Sequence, residues 1–171
     1  MKVKIILISL VLLFLFGCKK EEEVNEFPFD SFVLSYSGLR HVGAIKFTKS
    51  DTVYFQRRFP EPIQNFYAII PADKKTKLNK YLQSLNLKKF ESEYTQEHLC
   101  DGGSYLINVS SNGKNKSILI YGGTAPKELY KYANFLRKFK EELKFIATKK
   151  VIDFGDLGPI LPPPLPPLKT E

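Results

Sequence analysis

Residues 105–124 read YLINVSSNGKNKSILIYGGT, and they hold the signals for two strands, the turn between them and the start of a helix. Asn112-Gly113 is a strong signal for a two-residue hairpin turn, because both positions accept a positive φ. Gly122-Gly123 ends the second strand. One face of the two strands carries Tyr105, Ile107, Val109, Ile118 and Ile120. This alternation predicts a β-hairpin with one buried face.

The residues after Gly123 change to a helical period. Thr124 is expected to cap this helix, and Pro126 suits its first turn because proline lacks the N–H that would be unpaired there. Apolar residues spaced three and four apart predict an amphipathic helix with one face toward the core. They are Leu129, Tyr132, Ala133, Leu136, Phe139 and Leu143.

The same order of signals occurs about 60 residues earlier in the chain. Residues 44–48 and 52–57 alternate around Lys49-Ser50-Asp51, which predicts a hairpin with one face toward solvent. A helix is predicted after Pro71, with Leu78, Tyr81, Leu82 and Leu85 on its apolar face. A first strand is predicted over residues 29–37, and residues 66–70 form either a short strand or an extended lead-in.

The predicted fold class is therefore α+β. We expect an antiparallel sheet built from two hairpins, with two amphipathic helices packed on one face, in a ββα-ββα order. Residues 29–156 are of a common size for a single domain with its own core. The predicted organisation of the chain is a leader over residues 1–17, a tether over 18–28, this domain, and a proline-rich tail over 157–171.

Residues 1–17 have the organisation of a secretory signal peptide. Two lysines precede an apolar run over residues 5–16, which is shorter than the roughly 20 residues of a membrane-spanning helix. The run ends at Leu15-Phe16-Gly17-Cys18, which resembles the lipobox of bacterial lipoproteins. This resemblance implies cleavage between Gly17 and Cys18 and attachment of a diacylglycerol to the Cys18 thiol. The alternative is an ordinary signal peptide that is cut elsewhere.

The residues after Cys18 are highly charged, and they predict a solvated tether because they offer little apolar surface to bury. They also resemble the signal that sends lipoproteins of Bacteroidetes to the outer face of the outer membrane. Both interpretations stay open for this segment, whose first residues are Lys19, Lys20, Glu21 and Glu22.

The chain is basic, with 26 Lys and Arg against 18 Asp and Glu and a net charge of +8. Only four of the basic residues are arginines, whereas recognition of phosphates by paired hydrogen bonds favours the planar guanidinium. A lysine-covered surface is therefore the favoured interpretation, and we expect no nucleic-acid partner. Attraction to anionic polymers of the cell envelope stays open.

The sequence offers one candidate polar site, made of His41, His98, Cys100 and Asp101. Once Cys18 is acylated, Cys100 has no partner for a disulfide, and we expect it to be a small buried hydrophobe. Its spacing to His98 is not that of a zinc site, which needs three or four ligands. We therefore assign no catalytic residue, no metal ligand and no cofactor. An enzyme that uses Cys100 with His41 or His98 is kept as an alternative.

The C-terminal tail contains six of the chain's 11 prolines within residues 158–167. Proline has no backbone N–H, so the segment is expected to be an extended polyproline II helix. It either lies free or on its own domain, or it binds an aromatic groove on a partner.

Two stretches of the chain carry a further resemblance. The first is Ser37-Gly38 with the hairpin through Tyr54. The second contains Cys100-Asp101-Gly102-Gly103-Ser104-Tyr105, the turn Asn112-Gly113-Lys114 and the run from Tyr121 to Leu129. Together they are similar to a family of small domains of unknown function in lipoproteins of Bacteroidetes-type bacteria. The resemblance covers about residues 29–145. It implies an exported α+β domain and brings no catalytic residues.

The leading functional hypothesis is a lipoprotein anchored to the outer membrane through acylated Cys18, at the periplasmic or the outer face. Its domain would bind an envelope protein or polysaccharide without covalent chemistry. The first alternative is an inhibitor or immunity-type protein whose basic face and exposed aromatic residues, such as Tyr36 or Tyr54, block an acidic site on a partner.

Overall fold

The computed structural model describes residues 26–39 and 41–160, and within them eight strands form one sheet. The strand order is β5-β7-β6-β1-β2-β3-β4-β8. All neighbours are antiparallel except β5 and β7, which are parallel. The strands are β1 Ser31–Ser37, β2 Val42–Thr48, β3 Thr52–Phe59, β4 Gln64–Ile69, β5 Glu93–Thr95, β6 Ser104–Ser111, β7 Lys114–Tyr121 and β8 Ile146–Thr148.

Two α-helices connect parts of the sheet. Helix α1, Ala72–Gln83, follows β4, and helix α2, Lys127–Glu141, follows β7. Short 3-10 turns lie at Leu87–Lys89 and Gly158–Ile160. The prediction that Thr124 caps α2 is wrong, because Pro126 occupies the cap position and no side chain accepts a hydrogen bond there.

The predicted sheet of two hairpins in a ββα-ββα order is also wrong. Strand β1 pairs with both β2 and β6, so one strand joins the two hairpins into a single larger sheet. Strand β4 is a regular strand of six residues that extends the first hairpin into a meander. Strands β5 and β8 are the two edge strands, and the parallel pairing of β5 with β7 makes the sheet mixed.

The larger of two hydrophobic cores contains the apolar residues of both helices together with residues from six strands. Phe47 of β2 is 1% exposed, and its ring meets the Phe139 ring of α2 edge to face at 6.1 Å. Burying a side chain of this kind stabilises the fold by about 1.5–3 kcal/mol. The largest fully buried side chains of this core are Phe32, Phe47, Leu34, Ile45, Leu78, Leu82, Ile107, Ile118, Ile120, Leu129 and Leu136.

A second, smaller core lies under the C-terminal part of the described chain. It joins Val33, Ala44 and Leu106 of the sheet to Phe154, Leu157 and Ile160. These three strand residues alternate with those of the larger core, so they lie on the other face of the sheet. The expectation that this face is left to solvent is therefore wrong for the centre of the sheet. Lys46 also holds this segment, since its Nζ donates to the Asp153 carbonyl at 2.6 Å.

Several predictions concern parts of the chain outside the described residues. These are the signal peptide with Gly17, the lipidation of Cys18, the role of residues 19–22 and the conformation of the prolines after Ile160. Within residues 26–39 and 41–160, no helix is both long and apolar enough to cross a membrane.

Candidate functional site

The four residues of the candidate polar site are all exposed, and they do not form one site. His41 lines a cleft of about 470 Å³ on the side of the sheet that faces α2. Cys100 and Asp101 line a different depression, of about 750 Å³, on the side of Ile160. His98 lines neither of the two and has a left-handed backbone with φ 60°.

No catalytic geometry links these residues within the part of the chain that the structure describes. No hydrogen bond there joins Cys100 to His41 or His98, and no group of three or more His, Cys, Asp and Glu side chains is placed to hold a metal ion. The expectation of a buried Cys100 is wrong, because this thiol is exposed. It follows Leu99 in a surface loop and takes no part in either core.

We predict that Cys100 of the folded chain reacts with a thiol reagent without denaturant, within about tenfold of the rate of an unfolded thiol, because the reagent reaches an exposed thiol without any opening of the fold. Absorbance of released thionitrobenzoate gives the rate, and the same chain in guanidinium chloride is the reference. A reaction that needs denaturant would contradict the exposed position of this residue.

The 470 Å³ cleft lies where three paired strands end. In the sheet register, Ser37 at the end of β1 is opposite Ser104 at the start of β6, and Ser104 is opposite Tyr121 at the end of β7. The cleft is bounded by this end of the sheet, by residues 96–103 and by α2. Antiparallel pairing thus brings together Ser37 and Ser104, which are 67 positions apart in the sequence (104 − 37).

Tyr36 and Tyr105 form a cross-strand pair on the helix side of the sheet, and both line the cleft. Arg137 of α2 covers them: its guanidinium carbon lies 5.2 Å from the centre of the Tyr36 ring, and its Nη1 donates to the Tyr105 hydroxyl at 3.1 Å. Gly43, opposite Tyr36 on β2, leaves the space for the Tyr36 hydroxyl, since a Cβ there would lie 3.1 Å from it. A guanidinium stacked on an aromatic ring is restricted to few orientations.

Lys140 is the second cation beside Tyr36. Its Nζ lies 4.2 Å from the centre of the Phe55 ring and donates to the Tyr36 hydroxyl at 3.5 Å. Burial lowers the pKa of Lys140 from its ordinary value, while the nearby Glu141 acts in the opposite direction. Burial likewise raises the pKa of Tyr36, so its hydroxyl keeps its proton at neutral pH.

The loop of residues 96–103 is held against the end of β7. The Tyr121 hydroxyl donates to the Leu99 carbonyl at 2.6 Å and accepts from the Gly102 amide at 3.3 Å. The Gly123 amide donates to Gln96 Oε1 at 2.9 Å. Gly122 has φ +82°, and a Cβ there would lie 2.6 Å from the same oxygen, so glycine is needed for this close contact.

The sequence hypotheses missed Tyr105 and Arg137 as site residues, and they gave Tyr36 a different role. Tyr36 is 9% exposed and lies under two cations, so it is not an exposed aromatic residue as the inhibitor hypothesis required. Tyr54 is partly buried and contacts Lys150. One signal could have found Arg137: it is the only arginine in either helix, and it borders the apolar stripe between Leu136 and Phe139.

The 750 Å³ depression has a different chemistry from the cleft. Its rim carries three exposed apolar side chains, Leu39, Phe59 and Ile63, together with Arg58 and Glu61. Leu39 is 82% exposed and also borders the cleft. The two depressions therefore flank the same strand ends from opposite sides of the sheet.

Comparison of the chain with protein-family models, with curated proteins and with solved structures finds no match. The similarity to small lipoprotein domains that the sequence motifs suggest therefore stays a prediction.

Proposed function

We propose that this protein is an envelope lipoprotein, anchored to the outer membrane by acylated Cys18, whose domain is a non-catalytic binding module. The ligand lies in the 470 Å³ cleft beside α2, which we name the Arg137 cleft. Its volume falls within the range of about 300–1,000 Å³ that is common for small-molecule sites.

One observation carries this proposal. Arg137 and the two tyrosines of the Arg137 cleft are held by contacts with one another before any ligand arrives, since the guanidinium lies over the Tyr36 ring and is hydrogen-bonded to the Tyr105 hydroxyl. A site that is already ordered loses little conformational entropy on binding, and more of the contact energy remains as affinity.

The alternative of an enzyme built on Cys100 has less support. A cysteine that is activated by a histidine needs that base within about 3 Å, whereas Cys100 and His41 line different depressions and His98 lines neither. Binding by surface complementarity requires no such pair. The envelope partner is then a molecule that enters the Arg137 cleft.

The test is a nuclear magnetic resonance titration of the exported, ¹⁵N-labelled chain in detergent micelles with saccharide, peptide and lipid fractions of the bacterial envelope. We expect one fraction to shift the backbone amides around the Arg137 cleft, which belong to Ser37, Gly103, Ser104, Gly122 and Gly123. Amides in the turns at the opposite end of the sheet, at Ser50 and Asn112, serve as internal controls. Shifts confined to other surfaces, or no shifts with any fraction, would refute the proposed site.

A further inference from the structure

We infer that the Arg137 cleft binds an acidic saccharide, with the sugar carboxylate paired to the Arg137 guanidinium. This inference rests on the proposed function and names its ligand class.

Most N–H donors of Arg137 make no hydrogen bond within the part of the chain that the structure describes. A guanidinium carries five N–H donors, and the one hydrogen bond that Arg137 makes within the described residues goes to the Tyr105 hydroxyl. None of the ion pairs among those residues includes Arg137. A carboxylate is the ligand group that two parallel N–H donors of arginine fit best, together with phosphate.

The local charge also favours an anion. Lys140 lies next to Arg137 on the Tyr36 ring and forms no ion pair in the described part of the chain. Glu141 is the acidic group that acts on Tyr36 and Lys140, and it is not within ion-pair distance of either cation. Arg137 therefore lines the cleft with a second cation beside it and a more distant carboxylate, and an anionic group bound to Arg137 reduces the repulsion between the two cations.

Polar side chains that both donate and accept hydrogen bonds line the cleft, which suits a saccharide. They are His41, Tyr105, whose hydroxyl accepts from Arg137, and Gln96, whose Oε1 accepts from the Gly123 amide. An imidazole, a phenol hydroxyl and a side-chain amide can each donate and accept, as the hydroxyls of a sugar require. Leu39 and Leu99 supply apolar contact for the C–H face of a ring.

A peptide carboxylate is disfavoured at the same place. Proteins that capture a chain terminus use free backbone amides arranged as a nest. Here the Gly122 amide donates to the Gly103 carbonyl at 3.1 Å, and the Gly123 amide donates to Gln96. The backbone donors of this corner are already used, so the free donors belong to side chains.

The experiment measures binding of trigalacturonic acid and of its fully methyl-esterified form to the exported chain by isothermal titration calorimetry at an ionic strength of about 0.15 M. The ester removes the charge and keeps the sugar, so we expect it to bind about tenfold or more weaker, as for the loss of a charge-assisted hydrogen bond. Arg137→Gln is expected to weaken binding of the acid by about 10–100-fold. Arg137→Lys keeps the charge without the planar pair of donors, and we expect an intermediate loss.

The matched control is Lys138→Gln, which removes an exposed charge from the same helix next to Arg137. It is expected to leave the affinity for the acid within about twofold, because surface charges are screened. Equal binding of acid and ester, or equal losses in the Arg137 and Lys138 variants, would overturn the inference. The comparison of acid with ester needs no variant, so it tests whether the sugar carboxylate contributes to affinity even if Arg137→Gln does not fold.

Failure of this inference is distinguishable from failure of the proposed function. If a neutral saccharide or a peptide shifts the amides of the Arg137 cleft and trigalacturonic acid does not, the ligand class is wrong and the binding site stands. If none of these probes and no envelope fraction shifts those amides, both are wrong.

Discussion

Replacing Phe47 by alanine is expected to lower the free energy of unfolding by about 3–5 kcal/mol, the range for removing a large buried aromatic side chain. Phe47 is 1% exposed and packs between the sheet and the Phe139 ring. The loss combines the transfer energy of the ring with the cost of the cavity it leaves. It is a large share of the 5–15 kcal/mol that stabilises a typical domain.

Urea denaturation followed by far-ultraviolet circular dichroism measures this change, and Phe59→Ala is the matched control. The Phe59→Ala substitution removes the same atoms from the neighbouring strand β3, but the Phe59 side chain is 48% exposed. Its loss should therefore cost much less than that of Phe47. Equal destabilisation by the two substitutions would contradict the packing of α2 against β2.

The central hairpin and the apolar faces of the helices were predictable because their signals are local. Asn112 and Gly113 have φ values of 50° and 73°, as the turn of the hairpin requires. Strands β6 and β7 pair along their full length on either side of this turn. The α2 residues Leu129, Tyr132, Ala133, Leu136 and Phe139, taken from the helical period alone, are all buried.

The edges of the sheet were not predictable from periodicity. Strands β5 and β8 have three residues each, which is too short for an alternating pattern to be recognised. Each is ordered by pairing with a strand distant in sequence: β5 with β7 and β8 with β4. The segment that covers the second face was missed for a similar reason. Its buried residues Phe154, Leu157 and Ile160 recur at every third position, which is neither the period of a strand nor that of an α-helix.

The Arg137 cleft was missed for a related reason. Its residues come from positions 36 to 137, and only the pairing of β1 with β6 brings Tyr36 next to Tyr105. Chemical groups that lie close together in the chain are recognisable from the sequence alone, and these are His98, Cys100 and Asp101. A charge count that averages over 26 basic residues also hides Arg137, which, like Arg57 and Arg58, has no carboxylate partner within the described residues.

Replacing Cys18 by alanine is expected to release the protein from the membrane almost completely, with a drop of at least about tenfold in the ratio of membrane-bound to free protein. The reason is that each buried methylene of an acyl chain contributes about 0.8 kcal/mol to membrane binding, so two or three chains hold far more strongly than a charged tether can. Fractionation of cells by ultracentrifugation with immunoblotting measures the ratio, and incorporation of labelled palmitate reports the acylation directly.

Cys100→Ala is the matched control, because it removes the other cysteine of the chain and leaves the lipobox intact. It should keep both the membrane fraction and the palmitate label of the parent protein. If Cys18→Ala stays with the membrane while its palmitate label is lost, the basic domain itself must bind the envelope. The acyl chains would then not be what holds the protein at the membrane. If Cys100→Ala loses the palmitate label and Cys18→Ala keeps it, the lipobox assignment is wrong, and the proposal of an anchored binding module loses its basis.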